Sequence, residues 1–557
     1  MYVIKGKSVF GAIARGVLTF YRRDEFVVNK IKVGDPQLEY KKYTDARDAA
    51  LTELGELYER ALSSIGEKDA QIFVIHQMIM TDDQYEGQIK DLILEQHFNA
   101  DYAVACTARS FTKMLGEMDS EYMQARTMDV KDVSSRLLRH ILNCAGNMPV
   151  LKGNSILCTG DLMPSETVLM DKSKITAFCT RTGSVNSHTA ILAKTMNIPA
   201  LVNVGGALTE ELDGMDAILD GYSGTLYIQP DEATIRMIDG KEAVEGRKKE
   251  LLHRLRGRKN ITRDGHEIKV YANVGNLNEV QNAIENDSGG IGLFRSEFMY
   301  FDRTEFPNEE LQFYNYRRVL EDMKGKEVVL AAFDIGADKR PDYLNTEYER
   351  NPAMGYRAIR VCLEQKDMFK TQLRAMYRAS VYGRLSILLP MIIDVSELRR
   401  VKEIIHEVKE ELISEGKPFS ENVKLGVMIE TPAAVMTSDI LAKEADFFNI
   451  GTNDLEQFTL ALDRQNSRYE QICPEHHLAV LRMIKIVCDN AHANGIEVGI
   501  CGELGGDLSL TETFLELHVD MLSVTPSQVL PLRRTIRSIS LSDRRQIHAN
   551  LQKMLKY

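Results

Sequence analysis

Residues 423–432 read Val-Lys-Leu-Gly-Val-Met-Ile-Glu-Thr-Pro, a mainly apolar segment that ends in polar residues and a proline. Similar segments recur through the C-terminal half of the chain, and most are separated by helical patterns. The full set comprises residues 268–274, 290–297, 328–334, 385–392, 423–430, 447–454, 497–504 and 521–526. Repeated strand-then-helix units favour parallel pairing, and eight of them predict a closed (β/α)8 TIM barrel.

The carboxyl ends of the strands line the active site in such a barrel, so the polar endings are the candidate site. The side chains predicted at this mouth are Arg295, Glu430, Asn453, Asp454, Arg464 and Cys501. Two carboxylates on separate strands can hold Mg2+ and leave positions for water and substrate oxygens. Arginines bind phosphate or carboxylate through forked hydrogen bonds. The set therefore predicts a site for a small phosphorylated acid.

Each of these residues also has a plainer interpretation when it is considered alone. A strand-end Asp or Glu often caps the following helix, and the arginines could form surface salt bridges. Cys501 could be a small buried hydrophobic residue, or it could protonate a carbon if substrate breakdown leaves an enolate. Their joint occurrence at successive strand ends favours the site.

A second candidate is His188, in the segment 183–190 with sequence Gly-Ser-Val-Asn-Ser-His-Thr-Ala. A helix is predicted to begin beside it, and helix N-termini favour anions. A neutral imidazole there could attack phosphorus and then carry the phosphoryl group. The alternative is a histidine that caps the helix or fills a polar niche.

The N-terminal half predicts three further parts. Residues 40–142 have helical periodicity with few Gly or Pro, which indicates a helical bundle. Residues 146–229 alternate short apolar segments with turns and predict an α/β unit that contains His188. Strand-like residues 8–14 and 17–21 could join that unit, which would make the bundle an insertion. Residues 231–258 are charged helix formers and predict a linker helix.

Composition narrows the class of protein. The 557 residues are 44% hydrophobic and 27% charged, and the net charge of −12 argues against binding nucleic acid or an anionic membrane. Met1 begins a segment without the apolar core of a signal peptide, and no run is long enough to span a membrane. The eight Cys contain no CxxC pair, so they suggest neither a zinc site nor a disulfide framework. We therefore expect the protein to lie in a reducing cytoplasm.

Several long motifs closely resemble enzyme I of the bacterial phosphoenolpyruvate:sugar phosphotransferase system. They are the His188 segment and residues 290–297, 334–339, 355–360, 426–434, 449–455 with 463–464, and 500–504. The resemblance covers essentially the whole chain. It implies a phosphohistidine swivelling α/β domain (1–22 and 145–229), an inserted helical bundle (23–144), a linker helix (230–260) and a barrel that dimerises (261–557).

The resemblance also implies a reaction and roles for residues. Such enzymes transfer the phosphoryl group of phosphoenolpyruvate to their own histidine and then to the phosphocarrier protein HPr, the first step of sugar uptake. By position, the phosphorylated residue is His188 and the proton donor is Cys501. The implied Mg2+ ligands are Glu430 and Asp454, and Arg126 falls where HPr docks. The implied substrate-binding residues are Arg295, Asn453, Asp454 and Arg464, with Arg357 as a further candidate.

Three positions depart from the family pattern. An arginine that contacts the substrate phosphate is replaced by Ala331, an arginine of the active loop by Val185, and an arginine after the histidine by Lys194. Two hypotheses follow. The protein is an active phosphotransferase of altered efficiency or partner choice, or it is a catalytically attenuated regulatory or relay paralogue.

Overall fold

The computed structural model describes most of the chain and divides it into two compact units, Met1–Glu245 and Gly246–Tyr557. The described residues are 1–21, 26–64, 67–116, 121–144, 151, 153–160, 162, 166, 170–183, 189–190, 193, 198–300, 305–335, 349, 351–463 and 477–542. None of the helices in these ranges is long and apolar enough to cross a membrane.

The first unit contains a mixed sheet of eight strands within its described residues, in the order β1-β8-β7-β3-β4-β5-β6-β2. The strands are β1 (Tyr2–Lys5), β2 (Lys7–Phe10), β3 (Ile13–Phe20), β4 (Ser155–Thr159), β5 (Ile175–Thr180), β6 (Ala200–Val202), β7 (Asp216–Asp220) and β8 (Thr225–Ile228). Because β3 pairs in parallel with β4, the N-terminal strands and those after the bundle share one sheet. This topology confirms the prediction that the bundle is an insertion.

Apolar residues on both faces explain why the centre of this sheet is buried. On β4, Ile156 and Cys158 pack in one core cluster, whereas Leu157 packs in another. Side chains alternate between the faces of a strand, so both faces of β4 are covered. The prediction missed β1, which pairs antiparallel with β8 at the edge of the sheet.

Helices form the inserted bundle between β3 and β4. They are α1 (Pro36–Ser64), α2 (Glu67–Met80), α3 (Asp83–Leu94), α4 (Ala100–Gly116) and α5 (Glu121–Leu142). Helix α1 begins earlier than its periodicity predicts, and Pro36 is its first residue, where a proline costs no hydrogen bond. Asp82 caps α3 by accepting hydrogen bonds from two main-chain N–H groups.

A charged helix, α6 (Glu232–His253), follows β8 as predicted. Its first half is tied to the sheet of the first unit. Arg15 donates to Asp239 at 2.5 Å and to Glu242 at 2.7 Å. Lys241 donates to the buried Asp220 at 2.5 Å. The first half of this helix therefore belongs structurally to the first unit.

The second unit is a barrel closed by eight parallel strands among its described residues. They are β9 (Lys269–Val274), β10 (Ile291–Phe294), β11 (Glu327–Ala331), β12 (Arg384–Leu389), β13 (Lys424–Ile429), β14 (Phe447–Ile450), β15 (Glu497–Ile500) and β16 (Met521–Val524). Strand β16 pairs with β9 and closes the ring, which confirms the predicted TIM barrel.

Helices follow the barrel strands and cover them. They are α7 (Leu277–Glu285), α8 (Glu309–Asp322), α9 (Ile359–Glu364), α10 (Lys366–Ala379), α11 (Val395–Ser414), α12 (Pro432–Met436), α13 (Ser438–Leu441), α14 (Thr452–Leu460), α15 (Leu478–Ala493), α16 (Thr511–Glu516) and α17 (Val529–Ser538). A continuous apolar core joins them to the outward faces of the strands.

Seven of the eight predicted barrel strands are too long at their carboxyl ends, and β9 ends at Val274 as predicted. Strand β14 stops at Ile450, and Asp454 lies in the first turn of α14. Strand β10 stops at Phe294, and a short 3-10 helix begins at Glu297. The polar residues lie beyond the strand ends because their side chains hydrogen-bond to nearby backbone groups or because the residues themselves begin helices. The candidate site is thus formed by loops and helix starts at the strand ends.

Candidate active site

Two buried carboxylates lie at the mouth of the barrel. Glu430 follows β13 and is 2% exposed, and Asp454 is 9% exposed. Glu430 accepts a hydrogen bond from the main-chain N–H of Met391 at 2.6 Å. Gly451 makes room for it, since a Cβ there would lie 2.8 Å from Glu430 Oε2. Burial, and then the charges of Asp454 and Asp334, raise the pKa of Glu430 well above its usual range.

Arg357 lies between two carboxylates of this mouth. Its Nη2 donates to both carboxylate oxygens of Asp334 at 2.9 Å, and its Nη1 lies 3.4 Å from Asp454 Oδ1. Burial opposes its charge, but Asp334 and Asp454 raise the pKa of Arg357 above its usual range. The guanidinium therefore stays charged and partly offsets the acidic cluster. Asp334 was not among the predicted site residues, although its place at the third strand end was a usable signal.

Cys501 lies directly after β15 and is 5% exposed. Its thiol points to the main-chain oxygen of Ile450 at 3.6 Å and packs among Val329, Leu388 and Met428. Burial, and then the charge of Glu430, raise the pKa of the Cys501 thiol above its usual range. The side chain is therefore a protonated thiol at neutral pH. It has the form that a proton donor requires.

Arg295 and Asn453 flank the carboxylates. Arg295 is exposed just after β10, and its main-chain N–H donates to Val274 O at 2.9 Å. Asn453 is held by Glu503: its Nδ2 donates to Glu503 Oε1 at 3.0 Å, and its Oδ1 accepts from the Glu503 N–H at 2.8 Å. The sequence did not predict this role of Glu503, because Asn453 and Glu503 come together only when β14 pairs with β15.

Glu297 is a further acidic group near this mouth that the sequence analysis missed as a site residue. Burial, and then the charge of Asp334, raise the pKa of Glu297 to about 7, against the opposing effect of Arg295. A carboxyl group poised near neutrality is common where several acids share a cleft. Among the described residues, the mouth therefore combines four acidic side chains, Glu297, Asp334, Glu430 and Asp454, with the arginines Arg295 and Arg357.

Ala331, one of the three positions that depart from the pattern of the resembled family, is the last residue of β11. Val329, two residues earlier, packs in the same cluster as Cys501. Alternate residues of a strand face the same way, so Ala331 also faces the barrel interior. It is 3% exposed. At this position the barrel interior therefore carries a small apolar side chain and no charge.

Four of the predicted positions, Val185, His188, Lys194 and Arg464, lie outside the described residues. Arg126 is in α5 of the first unit and donates to the buried Asp129 at 3.0 Å. The structure therefore brings together Glu430, Asp454, Arg357 and Cys501, with Arg295 and Asn453 beside them.

Two of the acidic residues at the mouth suit a hard divalent cation. The described residues contain no group of three or more His, Cys, Asp or Glu side chains arranged to hold a metal ion. Glu430 and Asp454 supply carboxylate oxygens, and their mutual repulsion is expressed in the raised pKa of Glu430. Mg2+ commonly takes one or two carboxylates and completes its shell with water and substrate oxygens. The donor set fits such an ion.

Comparison with known proteins covers nearly the whole chain. Family models described as PEP-utilising enzyme match at residues 5–126 (N-terminal), 151–224 (mobile domain) and 249–541 (PEP-binding domain). A protein of Priestia megaterium named phosphoenolpyruvate-protein phosphotransferase is 38% identical, over 97% of this chain and 94% of its own length. Its namesake in Haemophilus influenzae is also 38% identical, over 97% of this chain and 95% of its own length. The chain belongs to the phosphoenolpyruvate-protein phosphotransferase (enzyme I) family.

Proposed function

We propose that this protein transfers the phosphoryl group of phosphoenolpyruvate to its own His188 and then to a histidine of the phosphocarrier HPr. This would be the first step of sugar uptake by the phosphotransferase system. One observation carries the proposal: Glu430, Asp454, Arg357 and Cys501 meet at one barrel mouth in a chain of this family. Full-length relatives named for the activity do not favour the attenuated paralogue.

Substrate binding follows from charge. Phosphoenolpyruvate carries a phosphate and a carboxylate, and we propose that Arg295, Arg464 and Arg357 bind these groups with help from Asn453. Glu430 and Asp454 would hold Mg2+, which supplies positive charge where the transferring phosphoryl group develops negative charge. Arg357 already lies against Asp454, so it can orient this carboxylate and contact a bound anion. Phosphoryl transfer depends mainly on this positioning and charge neutralisation.

Protonation of the enolate carbon completes the proposed reaction. When the phosphorus–oxygen bond breaks, a ring nitrogen of His188 takes the phosphoryl group and the enolate of pyruvate remains. The Cys501 thiol donates its proton to the methylene carbon, which gives pyruvate, and the thiolate is later reprotonated from water. The raised pKa of Cys501 keeps the thiol protonated before the reaction.

The partners follow from the same proposal. HPr would dock on the helical bundle near Arg126, whose guanidinium is oriented by Asp129. We also propose a homodimer formed through the barrel and a cytoplasmic location.

The experiment uses phosphoenolpyruvate that carries a labelled phosphoryl group. With Mg2+, the full chain should acquire an acid-labile label on His188, and added HPr should remove it. Chelating the metal should abolish labelling, and Glu430→Gln should slow it at least about a hundredfold. Glu421→Gln, which changes a carboxylate with a 71% exposed side chain, is the control. A wild-type protein without label on His188 would refute the proposal.

A further inference from the structure

Asn273 lies inside the barrel near its mouth. Its neighbours Ala272 and Val274 on β9 belong to the apolar core shared with the surrounding helices. Because side chains alternate along a strand, Asn273 faces the opposite side, which is the barrel interior.

The amide of Asn273 bridges two other strands. Its Nδ2 donates to the main-chain oxygen of Cys501 at 2.9 Å and to that of Ser523 at 3.1 Å. Its Oδ1 accepts from the Ser523 hydroxyl at 2.6 Å. An asparagine amide has two donors and one acceptor oxygen, so both of its ends are engaged. The side chain is thereby fixed relative to the end of β15.

Cys501 depends on this contact because the strand ladder ends just before it. The last registered pair between β15 and β16 is Ile500 with Leu522. On the other side, the Cys501 N–H donates to Ile450 O of β14 at 3.1 Å. The main chain of Cys501 is thus held by β14 through its N–H and by Asn273 through its oxygen.

Gly502, the residue after Cys501, packs closely against the start of α14. A Cβ on Gly502 would lie 2.0 Å from Thr452 Oγ1 and 2.5 Å from the Thr452 main-chain nitrogen. The backbone after Cys501 therefore passes tightly against the start of α14. Release of the Cys501 carbonyl would remove one of the two main-chain hydrogen bonds that hold this residue.

We propose that Asn273 is a positioning residue for carbon protonation: by holding the Cys501 carbonyl, it directs the Cys501 thiol at one face of the enolate. This inference rests on the proposed function. In the step itself, the Cys501 S–H bond breaks, a C–H bond forms at the methylene carbon, and water later returns a proton to the thiolate. A flat enolate has two faces. A fixed thiol adds its proton to one face only, so a methyl group labelled with deuterium and tritium has one configuration, whereas protonation in solution gives both.

The first experiment reads this stereochemistry. Phosphoenolpyruvate with one deuterium of defined geometry on its methylene carbon is converted in tritiated water, and the chirality of the methyl group of pyruvate is measured. Asn273→Asp has the same size but replaces the N–H donors with an acceptor that faces two carbonyl oxygens. We expect it to give largely racemic methyl groups, while phosphohistidine forms within about twofold of the wild-type rate. Full wild-type stereochemical purity in the variant would overturn the inference.

The second experiment does not need catalysis. Cys501 of the full chain is alkylated with iodoacetamide and compared by mass spectrometry with the exposed Cys144. Asn273→Asp, or Asn273→Ala if the first variant does not fold, should raise Cys501 labelling about fivefold, as loss of one hydrogen bond allows. Asn449→Asp is the matched control, because Asn449 is buried in the same barrel and donates to Gly292 O at 2.9 Å.

The outcomes separate the two proposals. Unchanged Cys501 labelling in the Asn273 variants, or an equal rise in Asn449→Asp, would overturn the positioning role. A wild-type protein that forms no phosphohistidine would instead refute the proposed function, and the labelling ratio would still decide whether Asn273 holds Cys501.

Discussion

Glu430 shows at the scale of one residue how this mouth differs from an ordinary core. It is buried beside Asp454 and Asp334, so its charge is opposed by both burial and repulsion. Arg357 offsets part of that charge through its contacts with Asp334 and Asp454. A buried acid that is this poorly compensated lowers stability, and such residues are typical of sites that bind a cation or substrate.

Ala331→Arg should raise kcat/KM for phosphoenolpyruvate. The position faces the barrel interior, and a restored guanidinium would give the substrate phosphate a further charge-assisted hydrogen bond. Such a bond is worth roughly 1.5–3 kcal/mol, so we expect a gain of about ten- to a hundredfold. Steady-state release of pyruvate measures it.

Ala331→Met controls for filling this position without charge and should give no gain. If Ala331→Arg folds and its kcat/KM equals that of the wild-type protein, the alanine is not limiting. The barrel would then bind the substrate phosphate sufficiently without this arginine.

The raised pKa of Glu297 predicts that the stability of the protein depends on pH. Its pKa is raised to about 7, by burial first and by Asp334 second, whereas an unfolded glutamate titrates near 4.5. The folded state therefore binds more protons between these values, and the free energy of unfolding falls as pH rises from about 4.5 to 7. Glu297→Gln should remove about 3 kcal/mol of this fall, measured by urea unfolding. Glu512→Gln, at an exposed position of α16, should leave the slope unchanged.

At the scale of elements, strand positions could be predicted from sequence but strand ends could not. Six of the eight barrel strands lie within their predicted apolar runs, and β11 and β12 begin one residue before theirs. The agreement is close because buried parallel strands need apolar side chains on both faces. The polar endings were assigned to the strands, whereas Asp454 begins a helix and Glu430 follows its strand. Local pattern does not distinguish a polar strand end from a loop residue that folds back on the strand.

Helix α17 predicts a stability effect far from the mouth. Arg533 is 2% exposed and donates to Asn260 Oδ1 at 2.7 Å, to Leu255 O at 2.9 Å and to the side chain of Asp287. Burial alone would raise the pKa of Asp287, but the Gly257 N–H and Arg533 hold it below its usual range. Arg533 thus joins the segment after α6 to the barrel.

Arg533→Met should lower the free energy of unfolding of the barrel by about 3 kcal/mol, because it leaves Asp287 partly buried without its partner. Chemical denaturation of the full chain, followed by far-UV circular dichroism, measures the loss. Arg537→Met in the same helix is the control, since Arg537 is only partly buried and donates to Lys259 O. Equal losses in the two variants would contradict the role assigned to Arg533.

At the scale of the whole molecule, the sequence pattern predicted the order of the domains along the chain. It did not predict contacts between residues that are far apart in the sequence. The insertion of the bundle, the linker helix and the closed barrel all follow from periodicity and turn residues. The bond of Asn273 to Cys501 joins residues 228 positions apart, and Arg357 reaches Asp454 over 97 positions. Such contacts depend on the closure of the barrel, so no local pattern of residues encodes them.

We propose above all that the barrel mouth and His188 carry out one coupled reaction. A single-turnover rapid-quench experiment with phosphoenolpyruvate and Mg2+ tests it by comparing pyruvate with phosphohistidine in the same samples. We expect pyruvate and phosphohistidine at His188 to form in equal amounts in the wild-type protein, and neither to form in His188→Ala. Pyruvate formed at the wild-type rate by His188→Ala, or a phosphoryl group on another residue, would contradict the account.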